Sequence, residues 1–296
     1  MFTKAIEIAS QFTRPIHMVL RNYGSSTPWA GAGTLFVVNS DGWALTCRHI
    51  AAILVDAEKV NAKYRAFSAE ADAIKGNKKE RLLRKALENK YGYTSKTVAE
   101  IRVAFVDCVD PMLGFTVFPH PDATTDAALI RFDGFKSLGV TTFPTLAKNG
   151  SDLKQGKHLC RLGFPFPEFN NFAYDSKLDC TSWTAVGRTR TPRFPMDGMV
   201  TRHLASAAGQ VVGFEMSTPG LRGQSGGPAF DFDGCVWGMQ FATNHLDLDF
   251  DVDTDVLRSG TRKKVHDSAF LHVGQCVHVD VLTAFMSAHG VTFHAA

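Results

Sequence analysis

The chain has 296 residues, 45% of them hydrophobic, with a formal net charge of +3 at pH 7. That length buries a sizeable core, and 23 phenylalanines exclude a disordered chain. The charge is too small to call for nucleic acid or an anionic membrane as partner, and no apolar run approaches the roughly 18 residues of a membrane span.

From the N-terminus, Met1 to Gln11 carries Glu7 where a secretory leader would place its apolar segment, so a cytoplasmic location is expected. Strands are predicted at His17–Leu20, Gly33–Val38 and Trp43–Thr46, the last running into Leu45-Thr46-Cys47-Arg48-His49. From Ala57 to about Glu100 the pattern changes. Glu58–Lys90 has few β-branched residues, and Tyr64, Phe67, Ala71 and Ile74 recur at helical spacing. Gly76-Asn77 reads as a helix stop before a second run, Lys78–Asn89, which predicts a helical hairpin inserted among strands. The second run sets Lys78, Lys79, Arg81, Arg84, Lys85 and Lys90 against Glu80 and Glu88. It is first a solvated face and second a surface for an acidic regulatory partner.

Strands resume at Gly114–Phe118 and Ala127–Phe132. Asp122 and Asp126 are rival functional carboxylates here; Asp122 suits the cap of the turn Pro121–Thr124, whereas an apolar run begins directly after Asp126. A crossover near Thr141–Lys154 leads to further strands at His158–Gly163, Gln210–Glu215, Pro228–Phe232 and Cys235–Ala242. The turn Gly223-Gln224-Ser225-Gly226-Gly227-Pro228 opens the last pair. Beyond it, Asp247, Asp249, Asp251, Asp253 and Asp255 alternate with Leu248, Phe250, Val252 and Thr254, an edge strand or extended loop with one charged face. The first reading of these aspartates is a solubilising edge; otherwise they attract basic substrate residues or are masked by Arg258, Arg262, Lys263 and Lys264. The stretch lacks the glycine of a calcium loop and has Arg258 where that loop needs glutamate. Val277–His289, closed by Gly290, predicts an amphipathic helix burying Val281, Leu282, Phe285 and Met286. The six cysteines show no Cys-x-x-Cys spacing and are expected as reduced thiols; no metal or cofactor is expected, and a zinc site from His158, Cys160 and Cys180 is the weaker reading.

A serine hydroxyl needs an imidazole to take its proton, and the imidazole needs a carboxylate to hold its tautomer. His49, Asp126 and Ser225 supply those three types. The backbone N–H groups of Gly223 and Ser225, in a turn of small residues, suit an oxyanion hole. Gly223-x-Ser225-x-Gly227 also fits the nucleophile elbow of α/β-hydrolases, but the elbow is followed by a helix and precedes its acid and histidine. Here Ala229–Gly238 reads as two strands about an Asp-Gly turn.

The chain resembles the trypsin-like serine peptidases of the chymotrypsin fold, and among them the HtrA-like and other bacterial peptidase cores without a PDZ domain. The resemblance rests on Leu-Thr-x-x-His at Leu45–His49, Asp-x-Ala-Leu at Asp126–Leu129 and Gly-x-Ser-Gly-Gly-Pro at Gly223–Pro228, in that order. It implies an all-β fold of two packed antiparallel six-stranded β-barrels, with a helical insertion at about 57–100 in the first barrel and a C-terminal helix. Residues 1–145 would form the N-terminal barrel and 146–296 the C-terminal barrel of one catalytic unit. It implies a serine endopeptidase that hydrolyses a protein or peptide substrate through His49, Asp126 and Ser225 and an acyl-enzyme. The strand holding Gln240, Phe241, Ala242 and Thr243 would pair with the substrate. Pro219 stands near the position of trypsin's pocket aspartate, so an uncharged, small or amide side chain is expected at the cleaved residue. With no activation site before the first barrel, ordering of the turn Gly220–Ser225 falls to substrate, a partner or the insertion. The alternative is a protease-fold binding or regulatory protein acting through the basic insertion, with weak or no catalysis. Neither nucleic acid nor membrane is an expected partner.

Overall fold

The β-branched and aromatic runs between residues 13 and 46 become three consecutive antiparallel strands, β1 (Thr13–Asn22), β2 (Trp29–Val37) and β3 (Trp43–Thr46). They belong to a computed structural model that describes residues 2–296 apart from the side chain of Arg258. A helix absent from the sequence-based expectations, α1 (Thr3–Phe12), precedes them and buries Ala5, Ala9 and Phe12, one face of its period.

After β3 the chain turns at once into α2 (Arg48–Ala73), so helix begins at Arg48 rather than at Ala57. The chain reverses around Gly76, whose φ of +77° lies in the left-handed region that glycine tolerates, and returns as α3 (Glu80–Tyr91). Tyr64, Phe67 and Ala71 are buried against Tyr23, Tyr91, Tyr93 and Ala99 in a cluster separate from the main core. The insertion ends before β4 (Val98–Phe105), which pairs with β1 and sets Glu100 opposite Arg21. Their buried ion pair, at 2.9 Å, explains why a charged residue inside a strand disguised β4 as part of the insertion. Next come β5 (Val109–Asp110), β6 (Gly114–Pro119), β7 (Ala128–Asp133) and β8 (Ser137–Leu138). The first sheet runs β4-β1-β2-β3-β7-β6, while β5 and β8 pair apart from it.

The second half holds β9 (Thr145–Leu146), β10 (His158–Gly163), β11 (Phe172–Asp175), β12 (Cys180–Trp183), β13 (Phe194–Ala205) and β14 (Val211–Met216). There follow β15 (Pro228–Phe230), β16 (Val236–Arg258), β17 (Thr261–His278), α4 (Val279–Ala288) and β18 (His294–Ala295). β15 bonds to both β10 and β16, so β15-β10-β13-β14-β17-β16 pair in a ring, to which β9 and β18 add in parallel. The strands β11 to β13 escaped sequence reading: β11 and β12 are only four residues each, and β13 is interrupted by Pro195, Asp197, Gly198 and Arg202. β16 continues to Arg258 rather than stopping at Ala242, and with β17 it carries the acidic stretch out as a two-stranded arm. In α4, Leu282, Phe285 and Met286 are buried and Val281 half-buried. One core cluster joins α1, both sheets and α4. With 43% strand and 21% helix, the fold is mostly β, and all six cysteines are free thiols.

Candidate active site

A helix N-terminus leaves its first N–H groups without intrahelical partners and carries the positive end of its dipole. At the start of α2 the Asp126 carboxylate fills that role: Oδ1 accepts from His49 N at 2.9 Å. The other oxygen, Oδ2, lies 2.6 Å from His49 Nδ1. One carboxylate thus caps the helix and orients the imidazole that the helix carries, leaving Nε2 as the free ring nitrogen. Arg48 Nη1 ties the preceding loop in place through the His120 carbonyl at 2.9 Å. Asp122 does what its turn calls for: Oδ1 accepts from Thr124 N at 2.9 Å and from its hydroxyl at 2.8 Å, and these bonds hold its carboxyl below the ordinary range.

The Ser225 turn is braced from several sides. Gln224 is fully buried; its Oε1 accepts from Leu221 N at 3.0 Å and its Nε2 donates to the Phe194 carbonyl at 3.1 Å. Thr34 joins the turn to the first sheet, donating from Oγ1 to Gly223 O at 2.6 Å and from N to Ser225 O at 3.0 Å. Gly223 has φ +96°, and a Cβ there would lie 2.5 Å from the Phe164 carbonyl oxygen. Gly226, at φ +90°, has Thr46 Oγ1 2.6 Å from where a Cβ would be. Thr46 precedes His49 by three residues, so this close approach seats the serine turn against the histidine segment. Among the described residues, neither Gly223 N nor Ser225 N donates to a backbone acceptor in the turn. Ser225 Oγ donates to the Phe241 carbonyl at 3.4 Å. The bonds described in this turn run to Thr34, Phe194 and Gln240 of the same chain and none runs to the insertion.

A cavity of about 610 Å³ opens beside Ser225, between Pro219–Arg222 on one wall and Gln240–Thr243 on the other, with His245 and His272 at the rim. Gln240 is itself buried; its backbone accepts from Gly226 N at 2.8 Å and Cys47 Sγ at 3.3 Å, so it also joins the three segments. The Thr243 hydroxyl crosses to Gly220 O at 2.7 Å. The arm leaves the cavity at its rim. Its aspartates are exposed, and Asp253 meets His266 at 2.9 Å and Lys264 at 3.5 Å. The expected masking side chain of Arg258 lies outside the described residues.

Residues 33–239 match the family model of the trypsin-like peptidase domain, well over half of the chain. The chain belongs to the trypsin-like peptidase family. No curated protein matches the peptidase. Among solved structures, an inactive form of Rv3671c from M. tuberculosis H37Rv, carrying a serine-to-alanine substitution, aligns at 12% identity. It covers 97% of this chain and 90% of that one, with a TM-score of 0.45. The HtrA-type protease AlgW, also a serine-to-alanine variant and bound to a tripeptide, aligns at 12% identity. It covers 98% of this chain and 65% of that one, at a TM-score of 0.47. The assignment rests on the domain match.

In the peptidase, Cys47 Sγ approaches the His49–Asp126 pair, and these three are the one group among the described residues with metal-ligand spacing. They do not fit a metal: the thiol is fully buried, donates to a carbonyl and is pushed well up in pKa by burial, and the imidazole Nδ1 already holds Asp126. Sequence reasoning missed Gln224, Thr34 and Arg161. Arg161 carried a signal, a guanidinium inside the apolar strand His158–Gly163, where the alternation calls for a core residue.

Proposed function

We propose that the peptidase is a serine endopeptidase acting through an acyl-enzyme, with its halves, residues 1–145 and 146–296, working as one catalytic unit. Ser225 Oγ attacks the scissile carbonyl while His49 Nε2 takes its proton, and the negative oxygen of the tetrahedral intermediate takes the N–H groups of Gly223 and Ser225. Collapse breaks the C–N bond, His49 returns the proton to the leaving amine, and water then repeats the sequence to free the acid. A substrate N–H that takes the Phe241 carbonyl, to which Ser225 Oγ now donates, releases the hydroxyl toward His49.

The observation that carries this reading is the double role of Asp126, at 2.9 Å from His49 N and 2.6 Å from its Nδ1. A carboxylate fixed by a helix N-terminus cannot swing away from the imidazole, and it favours the imidazolium formed during attack. The test is labelling with a fluorophosphonate probe. Wild type is expected to label and both Ser225→Ala and His49→Ala to fail. Labelling that survives in Ser225→Ala removes it as nucleophile, and an unlabelled wild type favours a binding protein with little catalysis.

A further inference from the structure

Behind the cavity beside Ser225 sits a positive charge with no ion-pair partner among the described residues, the exposed Asp197 carboxylate acting on it only from beyond ion-pair distance. Arg161 on β10 is fully buried. Its Nη1 donates to Gln240 Oε1 at 2.6 Å, and its Nη2 to Thr218 Oγ1 at 2.5 Å and to the Thr218 and Pro219 carbonyls, both at 3.0 Å. Every one of these acceptors is neutral, and its Nε has no partner among the described residues. A buried guanidinium held only by neutral oxygens is a costly arrangement, and burial pushes its pKa below the ordinary range. The bonds brace the cavity wall, but bracing alone does not require a charge.

The same contact fixes the Gln240 amide. Because Arg161 holds Oε1, Nε2 is turned the other way, toward the Ala242 carbonyl at 2.5 Å and against Gly220, where a Cβ would collide with it. An amide nitrogen carries two hydrogens; one serves Ala242 and the second is a donor at the cavity wall. Arg222, His245 and His272 also line the cavity, and none of its described lining residues is Asp or Glu.

We propose that this cavity receives the side chain on the acyl side of the scissile bond and selects glutamate or aspartate, through the Gln240 amide and the Arg161 charge behind it. The proposal rests on the serine endopeptidase reading above. The amide alone would accept a glutamine side chain as readily as a glutamate; the Arg161 charge separates them and repels lysine and arginine. The expectation of an uncharged, small or amide residue, drawn from the substrate strand and from Pro219, took no account of Arg161. Arg161, on β10, acts from behind the pocket wall through its bond to Gln240.

The test uses internally quenched peptides that differ only at that residue, Glu, Asp, Gln, Ala, Phe or Lys. At least tenfold higher kcat/KM is expected for the better acidic peptide than for Gln, with Lys the slowest. Gln240→Glu sets a carboxylate against Arg161 and so leaves the buried charge paired; its folding is checked by its melting temperature. In that variant the Glu-to-Gln ratio is expected to fall at least tenfold. A ratio of one or less in wild type, or an unchanged ratio in Gln240→Glu, overturns the proposal. Fluorophosphonate labelling of the same wild-type preparation separates the two readings. A labelled enzyme that prefers neutral or basic residues, or cleaves none of the peptides, overturns the acidic selection alone. An enzyme that neither labels nor cleaves overturns both.

Discussion

Asp126 serves two masters, the helix and the imidazole, and a single substitution separates them. In Asp126→Asn the amide oxygen still accepts from His49 N, so stability is expected to stay within about 1 kcal/mol of wild type. The amide cannot hold the imidazole in the required tautomer, and kcat is expected to fall about 10⁴-fold. Thermal melting and peptide hydrolysis on the same preparation check the pair, and parallel losses in both would make Asp126 a structural residue. Gly226 is the opposite case, a residue of pure geometry. Its φ of +90° and its contact with Thr34 and Thr46 leave no room for a Cβ, so Gly226→Ala is expected to destabilise the fold by on the order of 3 kcal/mol or more in urea unfolding.

Between the histidine and the aspartate, the inserted helices hold on through aromatic rings rather than charge. Phe67 is 1% exposed and packs on Tyr93, Tyr23, Tyr91 and Tyr64 with ring centroids 5.0, 5.3, 5.6 and 6.1 Å away. Phe67→Ala is expected to cost about 3–5 kcal/mol, lost first from the insertion, where hydrogen exchange would report it. By contrast α3 buries no residue, so Arg81→Ala is expected to change stability by less than about 0.5 kcal/mol. The basic face is also smaller than its sequence suggests. Arg84 lies near Glu88 and Tyr23, and Lys90 sits 2.7 Å from Glu70. The periodicity of Tyr64, Phe67 and Ala71 was legible because helical spacing is local. The start of α2 was not, because His49 reads equally well as the end of a strand until Asp126 caps the helix from 77 residues away.

Across the whole molecule, the two halves meet at a neutral histidine. His17 on β1 stacks on Phe169 at 3.9 Å and its Nε2 lies 2.9 Å from Thr191 Oγ1. Burial lowers its pKa from 6.5 to about 4, outweighing the opposing effect of Asp107. The unfolded chain therefore binds a proton that the folded one excludes. The stabilisation is whole above pH 6.5, declines as pH falls and is gone below about pH 4, a loss of about 3 kcal/mol. Urea unfolding at pH 7 and at pH 4.5 should show that extra loss in wild type and not in His17→Phe; equal pH dependence would place the titration elsewhere. The sequence by itself determined the order of His49, Asp126 and Ser225, the glycine turn, most core strands and the existence of the insertion and the C-terminal helix. These signals are local, carried by residue types at short spacings. Only the tertiary structure decided that Asp126 caps α2, that Gln224 and Thr34 hold the serine turn, that the acidic stretch leaves as an arm, and that Arg161 stands behind the cavity with no ion-pair partner among the described residues. Most of these depend on contacts between residues tens to nearly two hundred positions apart, as from Thr34 to Gly223, and no short-range pattern in the chain encodes such a partner.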